Sequence, residues 1–226
     1  MINNAWVIHK SWSGETSARV VFFTRDHGVV HCFYKGGRTP KKQALLQAFI
    51  PLWLDINIRG DAYFVHRLEI AAAPIALEGK NLFAGLYMNE LLFYALKPQD
   101  PSDTLYSAYL LSLEALMMAS DRYAIERVLR RFEWILLTAC GYSISLTHDA
   151  RTQRPIDKGS LYRFVEGEGF VLAEVGISGA HILALSEGAL DDLSILHVAK
   201  KIMRSAIVHM LDGKPIQARA LYMQEY

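Results

Sequence analysis

Five short runs of β-branched and aromatic residues fall within the first seventy positions, and their density constrains the fold more than any other feature of the chain. "AWVIHKSW" is followed by "SARVVFFTRDHGVVHCFYKGG", in which two such runs flank the turn Arg25-Asp26-His27-Gly28. "AFIPLWLDINIRGDAYFVHRLEI" repeats the theme, with Arg59-Gly60-Asp61 as the turn. Left as an open meander, strands joined this tightly would expose their edges; closing them into a small barrel removes the edges. Pro51 falls inside a strand-like run and so predicts an edge or a bulge, because proline cannot donate to a ladder.

The texture changes after "AAAPIALEG". From Asn81 the apolar period becomes helical: "NLFAGLYMNELLFYALK" and "DTLYSAYLLSLEALMMAS" are separated by "PQDPS", whose prolines force a break. A third helix, "YAIERVLRRFEWILLTAC", stops at Gly141, a good residue to follow a helix end. Residues 142–180 hold six glycines and prolines, too many for a long helix, with a hairpin expected around Glu166-Gly167-Glu168-Gly169. "DDLSILHVAKKIMRSAIVHMLDGKP" carries helix punctuation at both ends, Asp191-Asp192 at the start and Gly213 and Pro215 at the stop. A short tail helix, "IQARALYMQ", is expected after it. The class predicted is α+β, with a barrel domain over residues 1–79 and a mainly helical domain over 80–226 that carries an irregular insert at about 142–180.

With 226 residues, 52% of them hydrophobic, the chain can fill a sizeable core. A net charge of +1 does not announce a polyanionic partner. Its distribution says more. Residues 1–50 carry seven Lys/Arg (Lys10, Arg19, Arg25, Lys35, Arg38, Lys41, Lys42) against two acids, an excess of +5, while the remainder carries −4. Such asymmetry hints at a polyanion-binding module attached to something else. Cys32 and Cys140 lie 108 residues apart, and "MINNAWVIHK" lacks a basic stretch followed by an apolar core, so a reduced, cytoplasmic home is expected. Asn89, Glu90, Lys97 and Glu114 interrupt the longest apolar runs, which argues against membrane insertion.

The usual catalytic signatures are missing: neither GxGxxG nor GxxxxGK[ST] occurs, nor a GxSxG elbow, and Ser13 and Ser17 of "WSGETS" have no base placed beside them. The densest metal-like cluster, His27, His31 and Cys32, fails on geometry, since neighbouring strand residues point to opposite faces. The positive signals are cationic. "KGGRTPKK" (Lys35 to Lys42) reads either as a phosphate-holding loop, its glycines letting backbone come close to a partner, or as a hydrated turn. Trp12, Phe22, Phe33, Tyr34, Trp53 and Tyr63 lie on the expected strands, where most must be core and some could stack on bases. On the third helix, Val128, Leu129, Phe132, Ile135, Leu136 and Ala139 share one face. Arg130 falls nearly opposite that face, and Arg127, Arg131 and Trp134 form a neighbouring strip. That strip reads either as a salt-bridged solvent face, with Glu126 and Arg130 as an i,i+4 pair, or as a site for a carboxylate or phosphate partner. Lys200, Lys201 and Arg204 on the last long helix could extend a basic strip.

Taken in order, "SGETSARVVFFTRDHGVVHCFYKGGR", "LQAFIPLWLDI", "GLYMNELLFYAL", "LRRFEWILLTACGYS" and "GKPIQARAL" resemble the successive blocks of the RecO family of bacterial recombination mediators over most of the chain. The resemblance implies an N-terminal OB-fold barrel followed by a helical domain, no enzymatic turnover and no cofactor. It also implies binding of single- and double-stranded DNA, annealing of complementary strands, engagement of the C-terminal tail of single-stranded-DNA-binding protein (SSB), and joint action with RecR to load RecA. Carried onto this chain, Arg19, Lys35, Arg38, Lys41 and Lys42 would contact DNA, and Arg130 and Arg131, with Arg127 beside them, would receive the acidic, aromatic-ended SSB tail. A monomer working at the nucleoid is the expected form. One departure stands out. Many relatives place four cysteines in two CxxC pairs after the third helix and bind zinc there, whereas "GYSISLTHDARTQRPIDKGSLYRFVEGEGF" has no cysteine. A thiolate zinc site is excluded, His148 and Asp149 are too few to replace it, and the segment is expected to be held by packing alone and to be less rigid. Two alternatives of other classes remain open: an OB-type RNA-binding module, and a helical protein adaptor whose barrel is only structural.

Overall fold

The computed structural model describes residues 2–218, which form two compact units: the chain up to Met118 joined by the residues from Ile216 onward, and Ala119–Pro215. Most of the expected tail helix lies outside the described residues.

The first unit is built on five strands, β1 (Ile2–Ser13), β2 (Ser17–Thr24), β3 (Gly28–Tyr34), β4 (Leu52–Arg59) and β5 (Ala62–Ile70), with a short helix α1 (Pro40–Leu45) between β3 and β4. They close into a barrel in the order β1-β2-β3-β5-β4, antiparallel throughout except for the parallel pair β3 and β5. This is the OB-like barrel expected. Alternation decides which side chains fill it: Ala18, Val20 and Phe22 of β2, Val30, Cys32 and Tyr34 of β3, and Leu52 and Leu54 of β4 point inward. The turn at Arg25 to His27 is closed by Thr24, whose buried hydroxyl donates to the Gly28 carbonyl at 2.9 Å and accepts from the His27 N–H. Pro51 lies not within a strand but just before β4, where its carbonyl accepts from Ala71 N–H. The bulge comes instead at Asp55/Ile56, where the β4–β5 register slips and His66 is left over.

Two helices, α2 (Gly79–Ala95) and α3 (Asp103–Met118), belong to the same unit. Val21, Phe23 and Val29 face outward, yet they are buried. The Phe23 ring sits 5.5 Å from those of Tyr106 and Tyr109 on α3, and Trp6 Nε1 donates to the Tyr106 hydroxyl at 3.0 Å. Tyr106 in turn donates to the Asn4 carbonyl, and Tyr109 to Asn89 Oδ1, so the polar tips of this aromatic layer are satisfied. Each such bond stabilises by about 1 kcal/mol, and leaving one unmade in a buried layer would cost more.

The second unit contains α4 (Arg122–Ala139), strands β6 (Leu161–Val165), β7 (Gly169–Ala173) and β8 (Ile177–Ser178), α5 (Gly179–Ser186) and α6 (Leu193–Met210). Asp121 and Asp192 cap α4 and α6 by accepting from Ala124 and Ser194 N–H. Past the end of α4, Gly141 N–H bonds the Thr138 carbonyl and Tyr142 N–H the Leu137 carbonyl, a Schellman arrangement. The strands form a sheet of order β7-β6-β8, with the expected hairpin between β6 and β7.

The insert is not held by packing alone. Asp149, 2% exposed, accepts from Arg151 and Thr152 N–H on Oδ1 and from Leu172 N–H on Oδ2, at 2.7 to 2.9 Å. Thr152 N–H does most to hold this carboxyl down, and Leu172 and Arg151 add to it against the burial that pushes the other way, leaving its pKa at about 2. The carboxylate therefore ties the 149–152 turn to strand β7. His148 is exposed, and among the described residues no group of three His, Cys, Asp or Glu could hold a metal ion, so the donor set does not fit zinc. Among the described residues, too, no helix is long and apolar enough to cross a membrane.

Candidate nucleic-acid face and arginine-lined cavity

The loop after β3 folds largely on its own cations. Lys42 Nζ donates to the Lys35 carbonyl at 2.7 Å and lies 4.5 Å from the centre of the Tyr34 ring. Arg38 Nη1 donates to the Gly14 carbonyl at 3.0 Å, with its guanidinium 5.4 Å from the Trp12 ring centre. The last three residues of "KGGRTPKK" are not loop at all: Pro40 opens α1, so Lys41 and Lys42 sit in its first turn, a start that proline at a first helical position signals. Both glycines are required by the turn itself. Gly36 has φ of +67°, and a Cβ on buried Gly37 would lie 2.9 Å from the Ala18 Cβ.

Of the five residues expected to meet DNA, Arg19, Lys35 and Lys42 surround one patch of the barrel exterior. Register puts Arg19 of β2 beside Phe33 of β3, Phe33 beside Phe64 of β5, and Phe64 beside Asn57 of β4, making a continuous row across four strands. The Arg19 guanidinium stands 5.3 Å from the Phe33 ring centre, and that of Arg59 stands 5.7 Å from Phe64. A cavity of about 270 Å³ opens here between Lys35, Lys42, Arg59 and His66, with no acid among its lining residues. Arg38 and exposed Lys41 do not line it. Of the expected aromatic platforms, Phe22 and Tyr34 are core, whereas Trp12, Phe33, Trp53 and Tyr63 keep some exposure. Phe64, Arg59 and His66 are additions; strand pairing across the β3–β5 parallel contact was the signal for them, and it spans too much sequence to read from alternation alone. His31 and Cys32 do point to opposite faces: His31 is exposed, and burial pushes the Cys32 thiol up to about 12.

In the second unit, α4 buries two adjacent stripes. Leu129, Phe132 and Leu136 of the expected apolar face are buried, joined by Ile125, with Val128 and Ile135 only half-buried, while Glu126, Arg130, Glu133 and Leu137 form a second, largely charged stripe. Arg130 is thus not on the open face: it is 8% exposed and meets Glu133, itself 1% exposed, through two N–O contacts of 2.6 Å. The expected Glu126–Arg130 pair does not form. Glu126 instead takes Lys200 at 2.7 Å and Arg122 at 3.0 Å, which removes Lys200 from the basic strip proposed on α6. Lys201 and Arg204 stay exposed. Ala139 is exposed rather than core. Arg127 turns to Asp191 at 3.4 Å.

Arg130 and Arg131 come together with Trp134 on the wall of a cavity of about 470 Å³ whose other walls are mostly apolar, among them Ile144, Leu146, Leu185 and Met203. Arg127 is not in that wall. Arg131 is exposed and Trp134 half-buried. An apolar chamber with two guanidinium groups on one wall and no carboxylate in its lining can take a ring together with an anionic group.

The family model described as "Recombination protein O N terminal" matches residues 1–74, and that described as "Recombination protein O C terminal" matches residues 77–200. These two meet near the domain boundary read from the sequence, while the compact units of the fold divide after Met118 because α2 and α3 pack with the barrel. The DNA repair protein RecO of Legionella pneumophila (strain Philadelphia 1) is 53% identical over 220 residues, covering 97% of this chain and 96% of its own. The DNA repair protein RecO of Tolumonas auensis is 33% identical over 227 residues (98% and 94%), and that of Serratia proteamaculans 34% over 226 residues (97% and 92%). With both family models in order and identity of this depth over nearly the whole length, the chain belongs to the RecO family.

Proposed function

We propose that the protein serves DNA repair and recombination as a mediator, binding rather than turning over its ligands. In this reading it holds single- and double-stranded DNA on the basic barrel exterior and anneals complementary strands. It docks on DNA-bound SSB by taking the acidic, aromatic-ended tail into the α4 cavity, and with RecR it loads RecA. Membership of the family supplies the repair role. The observation that carries the finer reading is the cavity itself: an apolar chamber for a terminal ring, with Arg130 and exposed Arg131 at hand for the tail's carboxylates. Screening of phosphates by Arg19, Lys35 and Lys42 would let two strands approach, because released counterions supply most of such affinity.

Strand annealing with and without SSB, compared between the native chain and Arg131→Glu, tests the reading. Naked-strand annealing is expected to persist in the variant while annealing of SSB-covered strands falls about tenfold or more. Equal behaviour of the two proteins on SSB-covered strands would move the tail elsewhere, and absence of annealing by the native chain would remove the annealing claim.

A further inference from the structure

Beside the arginine-lined cavity of the second unit lies a smaller one of about 230 Å³, walled by Tyr142, Ile144, Phe164, Ala206 and His209. Ile144 belongs to the walls of both and partitions them. The smaller hollow is held by contacts of its own. Tyr142 meets His209 edge to face, with ring centres 5.9 Å apart. The tip of the β6–β7 hairpin is tied to α6 by the Ser205 hydroxyl, which donates to Glu166, and comes against the His209 ring at Gly167, where an added Cβ would lie 2.9 Å from Nε2. The acid in the lining, Glu168, is already engaged by Arg151, whose Nε and Nη2 donate to it at 2.8 and 3.2 Å. What the hollow offers a partner is therefore apolar wall, with the exposed His209 imidazole and the Ser143 hydroxyl at hand.

At this size the hollow falls below the roughly 300 Å³ at which pockets begin to take a whole small ligand, and it suits a single side chain. Alternate side chains of an extended peptide project to one side about 7 Å apart, which lets such a peptide straddle one residue with a side chain on either hand. We propose that this hollow is the second compartment of the tail-binding groove: the terminal ring fills the arginine-lined chamber, an apolar side chain two places before it fills the hollow between Tyr142 and Phe164, and His209 donates to a neighbouring carboxylate. This rests on docking of an acidic, aromatic-ended tail in the α4 cavity, and it adds what that reading lacks, a basis for choosing among such tails. A ring and a carboxylate alone would admit any acidic chain with an aromatic end, whereas a second chamber across Ile144 reads a second residue at a fixed spacing.

The test is fluorescence anisotropy with two labelled synthetic peptides, both acidic and ending in phenylalanine, one carrying leucine and the other serine two places before the ring. The native chain is expected to bind the leucine peptide about tenfold or more tighter, as burial of one aliphatic side chain predicts. Ser143→Trp, which fills the hollow from an exposed position, is expected to bring the leucine peptide down to the affinity of the serine peptide and to leave the serine peptide within about twofold. Equal affinity of the native chain for the two peptides overturns the second compartment and leaves tail docking standing; so do a leucine preference that survives Ser143→Trp and a loss shared equally by both peptides. Binding of neither peptide by the native chain, or undiminished binding of both by Arg131→Glu, sinks the tail-docking reading beneath it. Independently of any variant's folding, hydrogen exchange of the native chain is expected to slow at residues 142–144 and 206–209 more with the leucine peptide than with the serine peptide; equal protection there by both counts against the compartment.

Discussion

Replacing Asp149 with asparagine removes one charge and one acceptor from a site where three backbone N–H groups converge. The carboxyl's ordinary value of 3.8 is brought down to about 2 in the folded chain. A folded pKa below the unfolded one contributes stability that is complete above the unfolded value and is lost as pH falls through the folded value. At about 1.4 kcal/mol per unit, the contribution is about 2 kcal/mol at pH 7 and roughly half of that at pH 3. Asp149→Asn is therefore expected to unfold at lower urea than the native chain at pH 7, and the gap is expected to shrink by roughly half at pH 3. Urea titrations followed by circular dichroism give both numbers, and hydrogen exchange at the Leu172, Arg151 and Thr152 amides localises the effect. A deficit that is the same at both pH values, or one below about 0.5 kcal/mol at pH 7, would refute the idea that this carboxylate ties the insert to β7.

Arg130→Ala takes away the guanidinium facing the Glu133 carboxylate, both nearly inaccessible, and is expected to cost about 3–5 kcal/mol in thermal or urea unfolding, whereas exposed Arg131→Ala should stay within about 0.5 kcal/mol. Gly28 has φ of +60°, and an added Cβ would sit 2.5 Å from the Asp100 carbonyl oxygen, so Gly28→Ala is expected to cost more than about 2 kcal/mol by the same measurement. Lys35→Gln is expected to weaken DNA binding alike for all sequences and to lower the slope of log affinity against log salt by about 1.

The barrel was legible because its information is local. Strand alternation and a glycine in each turn pick out the runs that become β2, β3, β4 and β5, although the run read around Pro51 opened at Ala48 and β4 begins only at Leu52. What escaped was information carried between segments. A single-face projection of α4 sent Arg130 outward, because it assumes one buried stripe; with α6 supplying Lys200, the helix buries a charged stripe beside its apolar one. Asp149 looked like a poor metal ligand for a similar reason, since one of its partners, the Leu172 N–H, lies 23 residues away and is backbone that no residue type advertises. Phe64 became part of the candidate DNA face only once β3 was paired with β5.

A cation count therefore overstates what a surface can offer a ligand, and the two candidate sites show by how much. In "KGGRTPKK", Lys42 and Arg38 each donate to a carbonyl of their own chain, and each lies over an aromatic ring. Their charge remains available to phosphate, but their side chains are already ordered, so less conformational entropy is lost when a strand arrives. Arg130 goes further: held against Glu133, it brings no net charge to its cavity, and its contribution there is a rigid, oriented N–H edge. Exposed Arg131 supplies the mobile charge. It follows that reversing both arginines together would confound loss of fold with loss of binding, and that Arg131 alone is the position at which the tail-binding reading stands or falls.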